Sequence, residues 1–283
     1  MKLSKRDKRL LIYLAVLLAI LGLYELRTWW SPDFIHETTH YELRSTASKE
    51  ITTELGDHLE ILYTAYCQEM EIPADKKLKK KLVHQVYQSH KEFKRVNPRS
   101  SWAEAFYRRP KCHEYLDKED TNPYHWAIHE ATHQLNDLLS EYKLTKWAEE
   151  GVACVFGCSV IRDGKLILGE IEKDSYPIWY LQRYPLTGDI EKDKGKNIFF
   201  PLDDLIHDRE PVDINKNFND YYIHWFVTAH YFFFGDNGKH RASFLKFLRE
   251  ECPLEDFEKA FGPVNVIEKE IYKHFQTLAK RSS

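Results

Sequence analysis

His129-Glu130-Ala131-Thr132-His133 sets two imidazoles four positions apart, with a carboxylate beside the first. On a helix such residues share a face, because one turn takes about 3.6 residues. Both rings then address one point in space, as the ligands of a divalent metal ion do. Glu130 projects beside that point, where it can take a proton from a water held at the metal. Two imidazoles leave the site one protein ligand short. A carboxylate from Trp147-Ala148-Glu149-Glu150-Gly151, on a second helix, would supply it and leave one position open for chemistry. Zinc is the default ion for two histidines and a carboxylate.

Such a motif needs a helix beneath it. Asp120-Thr121-Asn122-Pro123 reads as the start, with Asn122 as N-cap and Pro123 in the first helical position. The pattern predicts a helix from about Pro123 to Tyr142. A second is predicted from near Thr145 through Trp147, Glu150, Ala153 and Cys154, with Gly157 near its end. Upstream, Leu55, Leu59, Leu62, Tyr63, Tyr66 and Cys67 recur at helical spacing over Ile51–Met70, and Pro73 closes that helix. Leu82–Tyr87 and Cys112–Leu116 read as short strands, and His40–Leu43 as the start of another. Ser89 caps a helix over Glu92–Val96, and Arg109-Pro110 is a break. Downstream, Asp163-Gly164 turns the chain into a strand over Lys165–Leu168, and residues 169–220 are loop-rich with short helices. Asn219–Phe234 is an aromatic helix, and Gly235-Asp236-Asn237-Gly238 a turn. Ala242–Glu250, Leu254–Phe261 and Val266–Leu278 are further helices. Strands gather toward the N-terminus and helices toward the C-terminus, so the class is α+β. The expected architecture is a small mixed sheet with helices, the paired motif helices, and a helical C-terminal part.

Residues 1–30 differ from the rest. Lys2, Lys5, Arg6, Lys8 and Arg9 precede an apolar run from Leu10 to Tyr24, and Trp29 and Trp30 follow. The run is short of the about 20 residues a span requires, and no small-x-small cleavage site precedes Trp30. We read a signal anchor over 1–30, with a cleaved signal peptide as the competing reading, a tether and first strand over 31–48, and one catalytic domain over 49–283. By the positive-inside rule the N-terminus stays in the cytoplasm and the domain is exported. Hydrophobic residues make up 43% of the chain and the net charge is -3, which argues for a globular body and against nucleic acid as a partner. Five cysteines leave at least one unpaired within the monomer. Cys154 and Cys158, four apart on a predicted helix, read as small buried side chains. Cys112 could join a disulfide.

With these residues on the page, a resemblance becomes specific. His129–His133 followed by Trp147-Ala148-Glu149-Glu150-Gly151-Val152-Ala153 resembles the gluzincin metallopeptidases, whose pattern is H-E-x-x-H, then W-x-x-E-G-x-A on the next helix. Within the peptidase MA-like group, the chain looks most like uncharacterised membrane-anchored bacterial members. It is similar more distantly to aminopeptidase N-like enzymes. Pro177-Ile178-Trp179 and Tyr221-Tyr222-Ile223-His224-Trp225 extend the likeness. The resemblance implies a zincin-like fold and a peptide or protein substrate. It also implies a single-pass protein of a bacterial inner membrane. His129 and His133 match the imidazole ligands, Glu130 the general base, and Glu150, directly before Gly151, the carboxylate ligand. Glu149 is the neighbouring alternative, about 100° away around the helix. The loop between the two helices is about two residues shorter than in the aminopeptidase branch.

Attack on a carbonyl also needs a group to stabilise the oxyanion. Tyr222 is the candidate, because Tyr222-Ile223-His224-Trp225 falls where the aminopeptidase branch carries Y-x-K-G; Tyr221 and His224 on the same helix are alternatives. The Lys-Gly of that branch is missing, as is its G-x-M-E-N exopeptidase signature. His125 lies one turn before His129 in the same row, at the rim of the expected cleft. His113 and Glu114, on the strand before the motif helix, are expected along the substrate edge. The reading is thus a zinc-dependent hydrolase, with a metal-binding scaffold that has lost turnover as the alternative.

Overall fold

A computed structural model describes residues 5–171, 176–252 and 254–280, with side chains from Leu10 onward. Lys2, and residues 172–175 of the expected loop region, lie outside them. Helix α1 (Lys5–Thr28) runs past Tyr24, and its stretch Leu10–Thr28 has 19 residues with a mean hydropathy of 2.0. It is long and apolar enough to cross a membrane, a property shared by signal sequences. The apolar stretch is longer than the sequence reading gave, because Glu25 and Arg27 in its last turn do not interrupt the helix.

Strand β1 (Phe34–Glu37) follows, then β2 (Tyr41–Ser45), helix α2 (Lys49–Glu69), β3 (Leu82–Tyr87), α3 (His90–Val96), β4 (Ala105–Arg108) and β5 (Lys111–Tyr115). The five strands form one mixed sheet in the order β1-β2-β3-β5-β4. The pairs β2/β3 and β3/β5 are parallel, and the outer pairs β1/β2 and β4/β5 antiparallel. Part of the expected tether is therefore an edge strand. Ser48 and Ser89 cap α2 and α3, accepting from the amides of Ile51 and Glu92 at 3.3 Å each. Leu55, Leu59, Leu62 and Tyr66 bury the inner stripe of α2 against the sheet and the motif helix.

That helix, α4 (His125–Leu135), packs across β4 and β5. It begins later than the sequence suggested. Asn122 offers its carbonyl, not its side chain, and accepts from the His125 amide at 3.1 Å. The helix then widens into a π-helical turn (Asn136–Ser140) that stops at Glu141, in the left-handed region at φ 59°. Tyr66 pins the turn to α2, its hydroxyl lying 2.6 Å from Asn136 Oδ1 and 2.7 Å from Ser140 Oγ.

Helix α5 (Lys146–Gly157) leads into a hairpin of β6 (Ser159–Arg162) and β7 (Lys165–Ile171). Its Asp163-Gly164 turn has positive φ at both residues, as two-residue hairpins favour. Short helices α6 (Ile178–Leu181), α7 (Ile190–Gly195) and α8 (Leu202–Ile206) precede the aromatic helix α9 (Phe218–Phe234). Helices α10 (Arg241–Arg249), α11 (Phe257–Phe261) and α12 (Val264–Lys280) complete the helical half. α5 sits between α4 and α9. Glycine permits both contacts: a Cβ on Gly151 would lie 2.6 Å from the Trp225 carbonyl oxygen on α9, and one on Gly157 3.0 Å from the His125 oxygen on α4. Trp147, wholly buried against Phe232 and Phe244, anchors the start of α5 in the core. The architecture is thus α+β, with a small mixed sheet, helices and one N-terminal apolar helix. All five cysteines are free thiols; Cys154 and Cys158 are buried, and Cys112 Sγ lies 3.4 Å from the Glu130 carbonyl oxygen.

Candidate metal centre

α4 and α5 bring His129, His133 and Glu150 together, with one donor atom from each within 4.8 Å of the others. The two Nε2 atoms are 3.1 Å apart. Glu150 Oε2 lies 3.3 Å from His129 Nε2 and 3.5 Å from His133 Nε2. This group could hold a metal ion. Glu149, one residue earlier on α5, stands on the other side of His133, 3.4 Å from Nδ1. It buttresses the ring and does not enter the trio.

Glu130 occupies the same turn and faces a cavity of about 450 Å3, which His133, Glu149 and Glu150 also line. The Tyr107 amide on β4 donates to Glu130 Oε2 at 2.7 Å. Burial pushes the Glu130 carboxyl above its ordinary range, the histidines opposing and Glu150 adding to the rise. Burial acts the same way on Glu150, but His133 and His129 overcome it and hold that carboxyl well below the usual range. His133 is the counterpart: burial disfavours its charge, and Glu150 and Glu149 raise its pKa nonetheless.

Tyr222 on α9 lines the cavity and lies over His129, with ring centroids 5.9 Å apart at 27°. Burial, then the Glu150 charge, pushes its phenol far up, so it keeps its proton. The other α9 candidates are engaged elsewhere. Tyr221 donates to the Val212 carbonyl at 2.6 Å. His224 Nε2 accepts from the Phe200 amide at 3.0 Å while Nδ1 meets the Asp220 carbonyl at 2.6 Å.

Two expectations about neighbouring residues are corrected. His125 is not on the rim: it is 3% exposed, packed on Trp126 and Tyr176, and burial lowers its pKa to about 3. The end of α5 closes against it, Gly157 lying beside the His125 carbonyl oxygen. His113 and Glu114 do not form a substrate edge, because β5 is flanked by β3 and β4. His113 stacks on Phe106, its Nδ1 3.0 Å from the Tyr87 hydroxyl, and burial lowers its pKa to about 4. Glu114, on the opposite face of the strand, pairs with His84 at 2.8 Å, both side chains fully buried.

The sheet edge beside the cavity is β4, which the sequence reading passed over. Ala105, Phe106 and Tyr107 line the cavity with Trp102, Ala103 and Glu104 before them, and Trp126, Phe218 and Tyr222 form an aromatic wall. Tyr107 is fixed at both ends, its hydroxyl donating to Asp137 Oδ2 at 2.6 Å. The available signal was a short aromatic run directly before the Arg109-Pro110 break, with a second strand directly after it. No protein-family model and no curated protein matches the chain.

Proposed function

We propose that the domain is a zinc-dependent hydrolase, most simply a gluzincin-type peptidase, with His129, His133 and Glu150 as metal ligands and Glu130 as general base. The observation that carries this is the triangle of donor atoms. Its sides of 3.1, 3.3 and 3.5 Å match the about 3.3 Å that separates the ligand atoms of a tetrahedral ion with bonds of about 2.0–2.1 Å. Glu150 Oε2 is also a buried oxygen without a hydrogen-bond partner. When bound there, zinc lowers the pKa of a water and polarises a carbonyl.

The chain supplies the rest. Glu130, one oxygen held by the Tyr107 amide, keeps the other for the water proton and passes it on to the leaving amine. Its raised pKa suits a group that both takes and returns a proton. Tyr222 retains its hydroxyl proton and donates to the developing oxyanion. Among the described residues β4 pairs only with β5, so an extended peptide adding to its outer side would cross the cavity. α1 serves as the anchor in a bacterial inner membrane, with the N-terminus cytoplasmic and the domain outside.

Purified protein should carry about one zinc per chain, the load of a single site. Glu130→Gln should keep that metal and lose peptide cleavage by on the order of 10³-fold. Cleavage by Glu130→Gln at the wild-type rate, or a protein that takes up no zinc, sinks the reading.

A further inference from the structure

Of the four glutamates that line the cavity, three have partners or duties: Glu130 and Glu150 in the chemistry, Glu149 against His133. Glu104 is left over. It stands directly before β4, and among the described residues no ion pair or hydrogen bond reaches its carboxylate. The residue is exposed at the cavity mouth, where partial desolvation, with Asp120 and Asp117 nearby, still pushes its pKa up. Among the described residues the neighbourhood offers it no cation: no lysine or arginine lines the cavity, Lys118 pairs with Glu54 at 3.5 Å, and Arg109 with Asp137 at 3.1 Å. Beside it Trp102 is 73% exposed, and the Phe218 ring meets it edge-on at 5.7 Å and 78°. A large indole left open at a cavity mouth next to an uncompensated carboxylate is the arrangement that binds a long cationic side chain, the charge on the carboxylate and the stem or guanidinium on the ring.

We propose that the cavity selects peptides carrying lysine or arginine near the bond to be cleaved, with Glu104 as the charge partner and Trp102 as the platform. This rests on the hydrolase reading above. A hydrophobic wall alone would accept any large side chain. The carboxylate makes the difference, because leaving it unpaired against a neutral or acidic side chain forfeits a charge-assisted contact.

The test is a set of labelled peptides, identical except for Lys, Arg, norleucine or Glu at one position scanned along the chain. Cleavage by the full-length, zinc-loaded protein is measured, together with binding to the Glu130→Gln variant by fluorescence anisotropy. Lys and Arg peptides should lead norleucine by on the order of tenfold or more at one position, with Glu last. Glu104→Gln should flatten that order, Glu104→Lys should turn it toward Glu, and Trp102→Ala should narrow the Arg advantage. Equal handling of Lys and norleucine peptides, or an order unchanged in Glu104→Lys, overturns the proposal. Cleavage that depends on Glu130 but shows no charge order sinks the proposal alone. Charge-ordered binding without wild-type cleavage supports the cavity's selectivity and sinks the hydrolase reading instead. If no peptide binds and none is cleaved, both fall.

Discussion

His84 and His133 each face a glutamate, but the two clusters are completed in different ways. The His84 ring on β3 is enclosed by protein: Nδ1 lies 2.8 Å from Glu114 Oε1 and Nε2 3.1 Å from Gln134 Oε1. The Gln134 amide nitrogen is committed to the carbonyls of Pro110 and Val83, which turns its oxygen toward the ring. Both His84 nitrogens therefore lie within hydrogen-bonding distance of protein oxygens. One residue before Gln134, His133 turns its Nε2 to the Nε2 of His129 at 3.1 Å, with a partnerless carboxylate oxygen of Glu150 close to both. These atoms converge on a point that a metal ion could occupy. What separates the two is the second imidazole: one ring closed in by a glutamate and a glutamine, against two rings and a glutamate whose donor atoms converge.

The contrast breaks most sharply at His84. His84→Ala leaves Glu114 wholly buried without its 2.8 Å partner, and denaturant unfolding should show a loss of about 3–5 kcal/mol with metal content per folded molecule unchanged. His129→Ala is the mirror experiment. It should lose the metal, and with it the stabilisation that a chelator strips from the wild type, about 4 kcal/mol when free metal stands at a thousand times Kd. Metal lost from His84→Ala at unchanged stability would reverse the two assignments.

His224 sharpens the comparison as a third kind of histidine, buried and neutral. Its Nε2 accepts the Phe200 amide, and burial lowers its pKa from 6.5 to about 4. Between those values the unfolded chain binds a proton that the folded chain does not. Its contribution is therefore fully present above about pH 6.5 and fades as pH falls toward 4, by up to about 3 kcal/mol. Urea unfolding at several pH values should show that slope, and His224→Gln should flatten it. The smallest effect is expected at Glu149. Glu149→Gln keeps all three ligands but weakens the support of His133 Nδ1, and competition with a chelating dye should show about tenfold weaker metal binding.

The two motif helices were legible because their signals are local: helical spacing of His129 and His133, a glycine after Glu150, and a buried tryptophan three residues before it. Ser89 announces its helix for the same reason, as a side chain that caps an amide three residues on, whereas the Ser48 cap was passed over. What could not be read depends on distant partners. Ala105–Arg108 is four residues long, too short for an alternating pattern to stand out, and it is an edge strand only because β5 lies between it and β3. His113 and Glu114 were given the role of β4 for that reason. Asn122 has the composition of a cap, but the helix starts past it, so only its carbonyl is used. Tyr221, Tyr222 and His224 share one helix, and only their packing shows that Tyr222 alone turns to the cavity.

The glycines of α5 settle one more matter. Gly151 and Gly157 notch the helix on two sides, one receiving the α9 backbone and the other the α4 backbone. A slip of one residue would drive a β-carbon into each crossing, while swinging Glu150 about 100° away from the imidazoles. The register of the helix is thus keyed like a lock tumbler, by where it lacks side chains. The turn joining α4 to α5 bears none of that duty. Its length could change without moving a donor atom of His129, His133 or Glu150.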